Sequence, residues 1–243
     1  MKQTKIIGGV DRISELPECI IHRIMSHLPP DEVVRTCVLS KAWYNFKASF
    51  PVLNFNEKPF LDKSLGNFTQ VVYNSLLQFR RYNLPLHSFS VCLYQSSNYP
   101  DLDSWIRSAL ENGLQKLNVY SLSVDDYFLP EPVFLSKTLS ILNVESCVLN
   151  EPLSLFSSLK KLFLRACRVN CPIILEKGDC PLLEEFVCDE CEFDSVIRIS
   201  DLLRLQTVDV MIRLVDEFVV SRQSIQSISI RDESRPPPHY CQH

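Results

Sequence analysis

The sequence predicts a mixed α/β fold in which a small N-terminal three-helix unit precedes an irregular solenoid with a parallel sheet on its concave face. Three observations predict this class. The first fifty residues place apolar side chains at helical spacing in three short segments. From residue 86 onward, an apolar-x-x-apolar-x-apolar pattern occurs seven times. The 243 residues are 46% hydrophobic and 22% charged, a composition that can fill a core.

The charge and hydropathy of the chain argue against two classes of partner, nucleic acids and membranes. The net charge of -4 argues against nucleic acid, because phosphate binding needs a clustered positive surface. No apolar run approaches the length of a membrane span, so no membrane partner is expected. The N-terminal "MKQTKIIGGVDR" lacks the apolar core of a secretory signal. We therefore expect the protein in the cytoplasm, the nucleus or both, with its ten cysteines reduced.

Glycine is scarce, with 5 residues in the chain, and no phosphate-cradling loop is present. The stretch "IIGGVD" lacks the Lys-Ser/Thr pair of a P-loop and the third glycine of a dinucleotide-binding turn. The histidines fall in predicted helices, a strand and the tail, without a paired nucleophile in any known sequence pattern. We expect no cofactor, no metal and no catalytic residues, and thus no enzyme activity in this chain.

Three short helices are predicted in the first fifty residues. Ser14, Asp31 and Ser40 are the expected N-caps, and "LPP" at 28–30 ends the first helix. The apolar positions of the three helices are Ile20, Ile21, Ile24 and Leu28; Val33, Val34, Cys37 and Val38; and Trp43 and Phe46. A bundle of this size is too small to be stable alone, so it needs support from a partner chain or from the rest of this chain.

The stretch "ISELPECIIHRIMSHLP", followed by "DEVVRTCVLSKAW", resembles the F-box in the form common in plant F-box proteins. The match runs without gaps from about Asp11 to Trp43. The resemblance implies docking to a Skp-type adaptor and, through it, to the cullin and RING subunits of an SCF ubiquitin ligase. The residues that it implies form or support this interface are Leu16, Pro17, Ile20, Ile24, Leu28, Pro29, Val33, Val34, Leu39 and Trp43.

Some of these positions have a second interpretation. Trp43 and Val38 can equally belong to the local core, since aromatic and branched residues at helical spacing are usually buried. For the Leu16-Pro17 pair we favour the interface. The predicted domains are the F-box at 11–50, a helical linker at 51–85, the repeats at 86–231 and a disordered proline-rich tail at 232–243.

Two further helices are predicted from apolar spacing. In "NFTQVVYNSLLQF" the inward face is expected to carry Phe68, Val71, Val72, Leu76 and Phe79. In "YPDLDSWIRSALENG" either Asp101 or Asp103 is expected to cap the helix and Gly113 to end it. The inward residues of this second helix are expected to be Leu102, Trp105, Ile106 and Ala109.

The repeats begin with "LHSFSV" at 86 and start again at 114, 139, 159, 183, 205 and 225. Successive starts differ by 28, 25, 20, 24, 22 and 20 residues. Leucine-rich repeats have a period of roughly 20 to 29 residues and an L-x-x-L-x-L core. The irregular spacing and the line "GDCPLLEEFVCDEC" resemble the leucine-rich repeats of plant F-box proteins. About seven repeats are predicted, of which the last is incomplete.

Strand alternation predicts which side chains face outward in each repeat. The fourth and sixth residues should point into the core, and the third, fifth and seventh onto the concave surface. Most of the outward positions are polar, but several carry large apolar groups, which is typical of a binding surface. The predicted target-binding residues are Tyr120, Ile141, Phe163, Arg165, Val187, Asp189 and Met211. The alternative is that a loop or the C-terminal tail covers them.

The cysteines have two interpretations. Cys147, Cys167 and Cys191 are each the ninth residue of a repeat, where the consensus places Asn or Cys, which predicts a buried ladder. The pairs Cys167/Cys171 and Cys188/Cys191 also approach the spacing of a zinc ribbon. We favour the ladder, because the segment between the pairs continues the repeat and contains no histidine.

Together the resemblances imply a non-catalytic substrate-recognition subunit of an SCF-type ubiquitin ligase, with an unknown target protein on the repeats. Two alternatives stay open at this point. One is a truncated or regulatory relative that binds the adaptor without a complete target surface, because the chain stops one strand into its seventh repeat. The other is a plain leucine-rich-repeat scaffold, which requires the N-terminal match to be accidental.

Overall fold

The computed structural model describes residues 15–28, 30–36, 43, 45–46, 49–61, 67–95, 99–123, 125–193, 196–212, 218–220 and 226–232. The chain divides into two compact units, residues 1–52 and 53–243. The first corresponds to the predicted helical unit and the second to the predicted repeats together with the segment before them. The predicted mixed α/β class is confirmed.

The first unit contains helix α1 (Glu18–Met25) and helix α2 (Pro30–Thr36). Of the third predicted helix the structure describes Trp43 and residues 45–46, which are helical. Asp31 was expected to cap α2, but the helix already begins at Pro30. Proline suits the first helical position because its φ is fixed and it has no N–H to leave unpaired. Ser14 and Ser40, the other expected caps, lie outside the described residues.

A small apolar cluster holds the first unit together. Its buried members are Ile21, Met25, Val33, Trp43 and Phe50, and Leu16, Leu28, Phe46 and Val52 pack against them in part. The ring of His22 meets that of Phe50 edge-on at 5.7 Å, and its Nε2 lies 2.9 Å from the carbonyl oxygen of Phe46. A core of this size provides little stability by itself.

The second unit is built on parallel strands. In chain order the strands are β1 (Val52–Asn56), β2 (Ser88–Leu93), β3 (Lys116–Ser121), β4 (Tyr127–Phe128), β5 (Ile141–Glu145), β6 (Cys147–Leu149), β7 (Lys161–Arg165), β8 (Arg168–Val169), β9 (Ile173–Leu175), β10 (Glu185–Phe193), β11 (Ile197–Ile199), β12 (Thr207–Ile212), β13 (Phe218–Val220) and β14 (Ser227–Asp232). The main sheet has the order β1-β2-β3-β5-β7-β10-β12-β14. From β2 onward, each of its strand pairs is parallel.

The strand starts of the repeats align across the main sheet. Lys116 pairs with Ile141, Ile141 with Lys161, Lys161 with Glu185, Glu185 with Thr207, and Thr207 with Ser227. The third residue of each repeat therefore lies in one row, although the repeat lengths differ by up to eight residues. This alignment confirms the predicted solenoid of leucine-rich-repeat type.

The chain turns sharply after three of these strands. Ser146, Ala166 and Glu190 have φ values of 55°, 46° and 54°, although none of them is glycine. After them come β6, β8 and the second half of β10, which form a second sheet with the order β10-β8-β6-β4. A third small sheet contains β9, β11 and β13. Neither short sheet was predicted, since strands of two or three residues show too little alternation to detect.

Two helices flank the first repeat strand, β2, along the chain. Helix α3 spans Phe68–Arg81 and helix α4 spans Tyr99–Glu111. The prediction for α3 is correct for four of its five inward residues, but Val71 is 40% exposed. Val71 lies about 100° around the helix from Val72, which is far enough to leave the buried face. Asn67 caps α3, since its Oδ1 accepts from Gln70 N.

In α4 all four predicted inward residues are buried, but the predicted cap is wrong. The helix begins at Tyr99, so Asp101 and Asp103 lie inside it. Asp101 accepts a hydrogen bond from Thr69 Oγ1 at 3.3 Å, and Asp103 accepts one from Tyr127 OH at 2.7 Å. These carboxylates therefore connect α4 to α3 and β4 and do not cap the helix.

The segment 51–85, predicted as a helical linker, contains strand β1 as well as α3. Phe68, Val72, Leu76 and Phe79 belong to the main apolar core, and Leu53, Phe55 and Phe60 pack against that core. Glu57 is 3% exposed, and its carboxylate accepts from the backbone N–H groups of Tyr94 and Gln95. The segment is thus part of the second unit's packing.

Candidate functional site

The concave face of the main sheet is the surface on which the target-binding residues were predicted. The fourth and sixth residues of the repeats are buried as expected, for example Leu117 and Val119 at 0% exposure. The third, fifth and seventh residues are mostly half-buried. Neighbouring strands in a sheet are only about 4.8 Å apart, so adjacent rows shield one another.

The predicted target-binding residues lie on this face in three rows. Ile141 lies in the first row, Phe163 and Val187 are paired in the second, and Tyr120, Arg165 and Asp189 lie in the third. Met211 is half-buried next to the irregular stretch of β10 that follows Cys188. Each of the apolar members is half-buried, and the register makes Phe163 and Val187 direct neighbours, so the face carries an apolar pair and not a widely exposed patch.

Two ion pairs frame the apolar centre of the face. Lys161 Nζ lies 2.7 Å from Glu185 Oε2 on one side, and Arg165 Nε lies 3.6 Å from Asp189 Oδ2 on the other. Both pairs join β7 to β10, with Phe163 and Val187 between them. Exposed ion pairs of this type contribute about 0–1 kcal/mol to the stability of a fold. Their main effect here is to fix the orientation of the four charged side chains.

A row of polar side chains lies beside this centre and was not singled out by sequence reasoning. Asn118 is 7% exposed, and its Nδ2 donates to Ser90 Oγ. Asn143, its register partner on β5, donates to Tyr120 OH at 3.0 Å. The signal in the sequence is the repeated "LNV", which places asparagine at the fifth position of two successive repeats.

The turn after the strands opens into a depression of about 240 Å³. Four carboxylates line it: Asp125, Asp126, Glu190 and Glu192. One guanidinium, that of Arg168, lies among them, 2.7 Å from Asp126 Oδ2 and 3.4 Å from Glu192 Oε2. This edge of the sheet is therefore acidic.

In the first unit, the predicted adaptor-binding residues separate into two groups. Pro17, Ile20 and Ile24 are exposed, with Ile20 at 41% and Ile24 at 38%. Val33 and Trp43 are buried in the small core, and Leu16 and Leu28 are half-buried against it. Pro29 and Leu39 lie outside the described residues, as does the side chain of Val34.

The three cysteines of the predicted ladder lie where successive strands of the second sheet begin. Cys147, Cys167 and Cys191 are buried and unpaired by disulfides, and their strands are neighbours. Burial raises the pKa of the Cys147 thiol well above its ordinary value. A hydrogen bond with Cys191, together with burial, raises the pKa of Cys167. Cys171 is half-buried, and its Sγ donates to the carbonyl oxygen of Glu151 at 3.2 Å.

No group of three or more His, Cys, Asp or Glu side chains in the described part of the chain is arranged to hold a metal ion. None of the helices described has the length and apolar character that a membrane crossing demands.

The chain is similar to one protein family and to several known proteins. The F-box domain family matches residues 13–54. An Arabidopsis thaliana F-box/FBD/LRR-repeat protein is 28% identical over 228 residues, which cover 87% of this chain and 49% of that protein. An F-box/LRR-repeat protein from the same organism is 35% identical over 138 residues, covering 54% of this chain and 29% of that protein. Another relative of this type is 28% identical over 212 residues.

The chain spans less than half the length of these relatives. No solved structure matches it. The F-box match lies at the N-terminus, and the parallel repeats follow it along this chain. The chain therefore carries an N-terminal F-box domain followed by leucine-rich repeats, and it is a homologue of the F-box/LRR-repeat proteins of Arabidopsis.

Proposed function

We propose that the protein is a non-catalytic substrate-recognition subunit of an SCF-type ubiquitin ligase, acting in the cytoplasm, the nucleus or both. The F-box would bind a Skp-type adaptor and, through it, the cullin and RING subunits. The repeats would bind a target protein. The gain in rate would come from proximity, because the bond-forming chemistry belongs to other subunits.

The observation that supports adaptor binding most directly is the distribution of apolar residues around α1. Ile21 and Met25 are fully buried, whereas Ile20 and Ile24 on another face of the same helix are each about two-fifths exposed. An i, i+4 pair of isoleucines on a short exposed helix is a typical anchor for a partner's groove. Pro17, at the start of the helix, extends the same exposed surface.

Co-purification with a Skp-type adaptor tests this proposal. We expect Ile20→Asp together with Ile24→Asp to abolish adaptor binding while the fold is kept, since both side chains are exposed. Leu16→Asp with Pro17→Ala should weaken binding as well, although the half-buried Leu16 also contributes to the core. The matched control is Tyr73→Asp, which changes a 53% exposed residue on α3. Undiminished binding by both double variants would contradict the interface.

The concave face is the proposed target surface, with Tyr120, Ile141, Phe163, Arg165, Val187, Asp189 and Met211 as contact residues. Its support is the apolar centre framed by two ion pairs, an arrangement typical of interface hot spots. Phe163→Asp should abolish capture of the target and its ubiquitination while adaptor binding persists. If targets isolated by proximity labelling are captured equally well by this variant, a different surface binds them.

A further inference from the structure

Helix α1 carries an exposed arginine beside its exposed isoleucine pair. Ile20 and Ile24 are 41% and 38% exposed, and Arg23 is exposed as well. Residues three or four positions apart are neighbours on a helix surface, so Arg23 borders Ile20. His27 is also exposed and follows Ile24 at the same spacing, and its backbone N–H donates to Ile24 O. An arginine and a histidine therefore border the apolar pair along one side.

The charge of Arg23 is not neutralised within the described part of the chain. Its guanidinium forms no ion pair with any described residue, whereas Arg35 on α2 pairs with Glu32 at 2.8 Å. Glu18 lies about 140° around α1 from Arg23. Its carboxylate accepts from Ser49 Oγ and lies 3.5 Å from His22 Nε2. In α1 the positive charge therefore lies beside the apolar pair, and the negative charge lies away from it.

Arg23 has one role that needs no partner, because it lies in the last turn of α1. A cation at this end of a helix interacts favourably with the macrodipole. The helix end is also held by other groups, since Ser26 N donates to His22 O and His27 Nδ1 donates to Arg23 O at 2.7 Å. The dipole leaves the N–H donors of the guanidinium in water, where a partner can reach them.

A charge at the edge of an apolar anchor occupies the rim of an interface. Rim charges chiefly set the rate of association, because they attract the partner before the apolar contact forms. A guanidinium binds carboxylates well, since it can donate two parallel N–H bonds to them. The groove that receives Ile20 and Ile24 should therefore be bordered by Asp or Glu side chains where it meets Arg23.

We propose that Arg23 guides a Skp-type adaptor onto Ile20 and Ile24 by attracting acidic side chains at the border of the adaptor's groove. This inference rests on the proposed binding of the adaptor by the F-box, and it adds the charge of the partner surface and the residue that selects it. An adaptor with a neutral or basic groove border should associate more slowly with this chain, although the apolar contact is the same.

The test measures association and dissociation rate constants between the full chain and a purified Arabidopsis Skp-type adaptor. Biolayer interferometry in about 0.1 M and about 1 M NaCl compares Debye lengths of about 10 Å and about 3 Å. In the lower salt, Arg23→Glu should slow association about fivefold and Arg23→Gln about twofold, whereas Arg23→Lys should leave it nearly unchanged. In the higher salt the association rate constants should converge. The dissociation rate constants should change far less, since Ile20 and Ile24 are kept.

Two controls separate attraction from other effects of the substitution. Arg80→Glu changes an exposed arginine on α3, so it alters the net charge equally and should leave association unchanged. Hydrogen exchange of the α1 amides in the chain without adaptor shows whether a variant keeps this helix folded. Slower association of a variant whose exchange is unchanged does not come from unfolding.

Three results would overturn the role of Arg23. One is association of Arg23→Glu that is as fast as that of the unchanged chain, or faster. Another is slow association that persists undiminished in the higher salt. The third is slow association of Arg23→Gln that is matched by faster exchange in α1.

The outcomes also separate this inference from the proposed function. If Ile20→Asp with Ile24→Asp abolishes binding while Arg23→Glu associates at the rate of the unchanged chain, the proposed function stands and the role of Arg23 is wrong. If the unchanged chain does not bind the adaptor at all, the proposed function is wrong and this inference fails with it.

Discussion

Ser146, Ala166 and Glu190 show how single residues turn the chain between two sheets. All three have a left-handed backbone conformation at the same position of their repeats, directly before a ladder cysteine. For a residue with a Cβ this conformation costs roughly 1 kcal/mol or more. The cost persists because the turn sends β6, β8 and the end of β10 into the second sheet, where the cysteines are buried.

This strain predicts a stabilising substitution. Ala166→Gly should raise the free energy of unfolding by about 1 kcal/mol, because glycine adopts a φ of 46° without strain and the exposed methyl group contributes little packing. The backbone bond from Ala166 N to Asp189 O is kept. Urea unfolding measures the change. The matched control is Ala109→Gly in the middle of α4, which should lower stability by about 1 kcal/mol or more. A loss of stability in Ala166→Gly would contradict the account.

The buried thiols predict how stability depends on pH. Burial raises the pKa of Cys180 to about 12 from an ordinary value of 9.0, and its Sγ donates to Leu153 O at 3.0 Å. In the unfolded chain this thiol ionises near its ordinary value, whereas in the folded chain it stays neutral. Its contribution is therefore complete below pH 9 and is lost as the pH rises toward 12.

Urea unfolding at several pH values between 8 and 12 tests this sign. Each pH unit between 9 and 12 should cost about 1.4 kcal/mol for the Cys180 thiol, and the step from pH 8 to 9 should cost little. Cys180→Ala should be less stable at pH 8 but should have a shallower decline with pH. Cys19→Ala, which changes an exposed thiol, is the control and should keep the slope of the unchanged protein. Equal slopes in the two variants would remove Cys180 as the cause.

At the scale of elements, periodicity predicted the faces of helices and strands well where the elements are long. On α3 the buried and exposed faces are sharply separated. The neighbouring side chains of Leu76 and Leu77 are 3% and 45% exposed. The caps were predicted less well, since Asp101 and Asp103 look like caps in sequence but bond to Thr69 and Tyr127. These hydrogen bonds join residues that are 24 and 32 positions apart in the sequence, so a local sequence pattern cannot predict them.

The difference in burial between Leu76 and Leu77 on α3 predicts different losses of stability on substitution. Leu76→Ala should lower the free energy of unfolding by about 2–5 kcal/mol, because it opens a cavity in the main core. Leu77→Ala should change it by less than about 0.5 kcal/mol, because the side chain is largely in water. Chemical denaturation of both variants measures the difference. Similar losses in the two would show that α3 packs with a different face.

The candidate site was predictable in part. Alternation along the repeats placed Phe163, Arg165, Val187 and Asp189 on one face. The structure adds that Phe163 lies beside Val187 and Arg165 beside Asp189. The burial of Asn118 was not predictable, because it depends on Ser90 and Asn143 crowding it from two other strands. The separation of Ile20 from Ile21 on α1 required the same kind of tertiary information.

At the scale of the whole molecule, the two units differ greatly in the size of their cores. Among the described residues, five buried ones form the core of the first unit, whereas those of the second form a continuous core from α3 to β12. Local stability follows the amount of buried apolar surface, so the first unit should open more often. Binding of the adaptor should then stabilise it by mass action.

Hydrogen exchange tests this difference. Amides of α1 should exchange much faster than those of β5 and β7 in the isolated protein. Saturating Skp-type adaptor, at about a hundred times its dissociation constant, should slow exchange in α1 by roughly a hundredfold and leave β5 and β7 unchanged. The Ile20→Asp, Ile24→Asp double variant is the control and should show no slowing. Equal protection of α1 and β5 without adaptor would contradict the difference in stability.

The alignment of strands despite unequal repeat lengths has a consequence for evolvability. The differences in length among the repeats fall in the segments between strands, so the rows on the concave face keep their register. Because inward and outward residues alternate, a mutation at an outward position changes one point of the surface without disturbing the core beneath it. Lineages of such proteins can therefore explore new binding specificities one residue at a time, with the scaffold left intact.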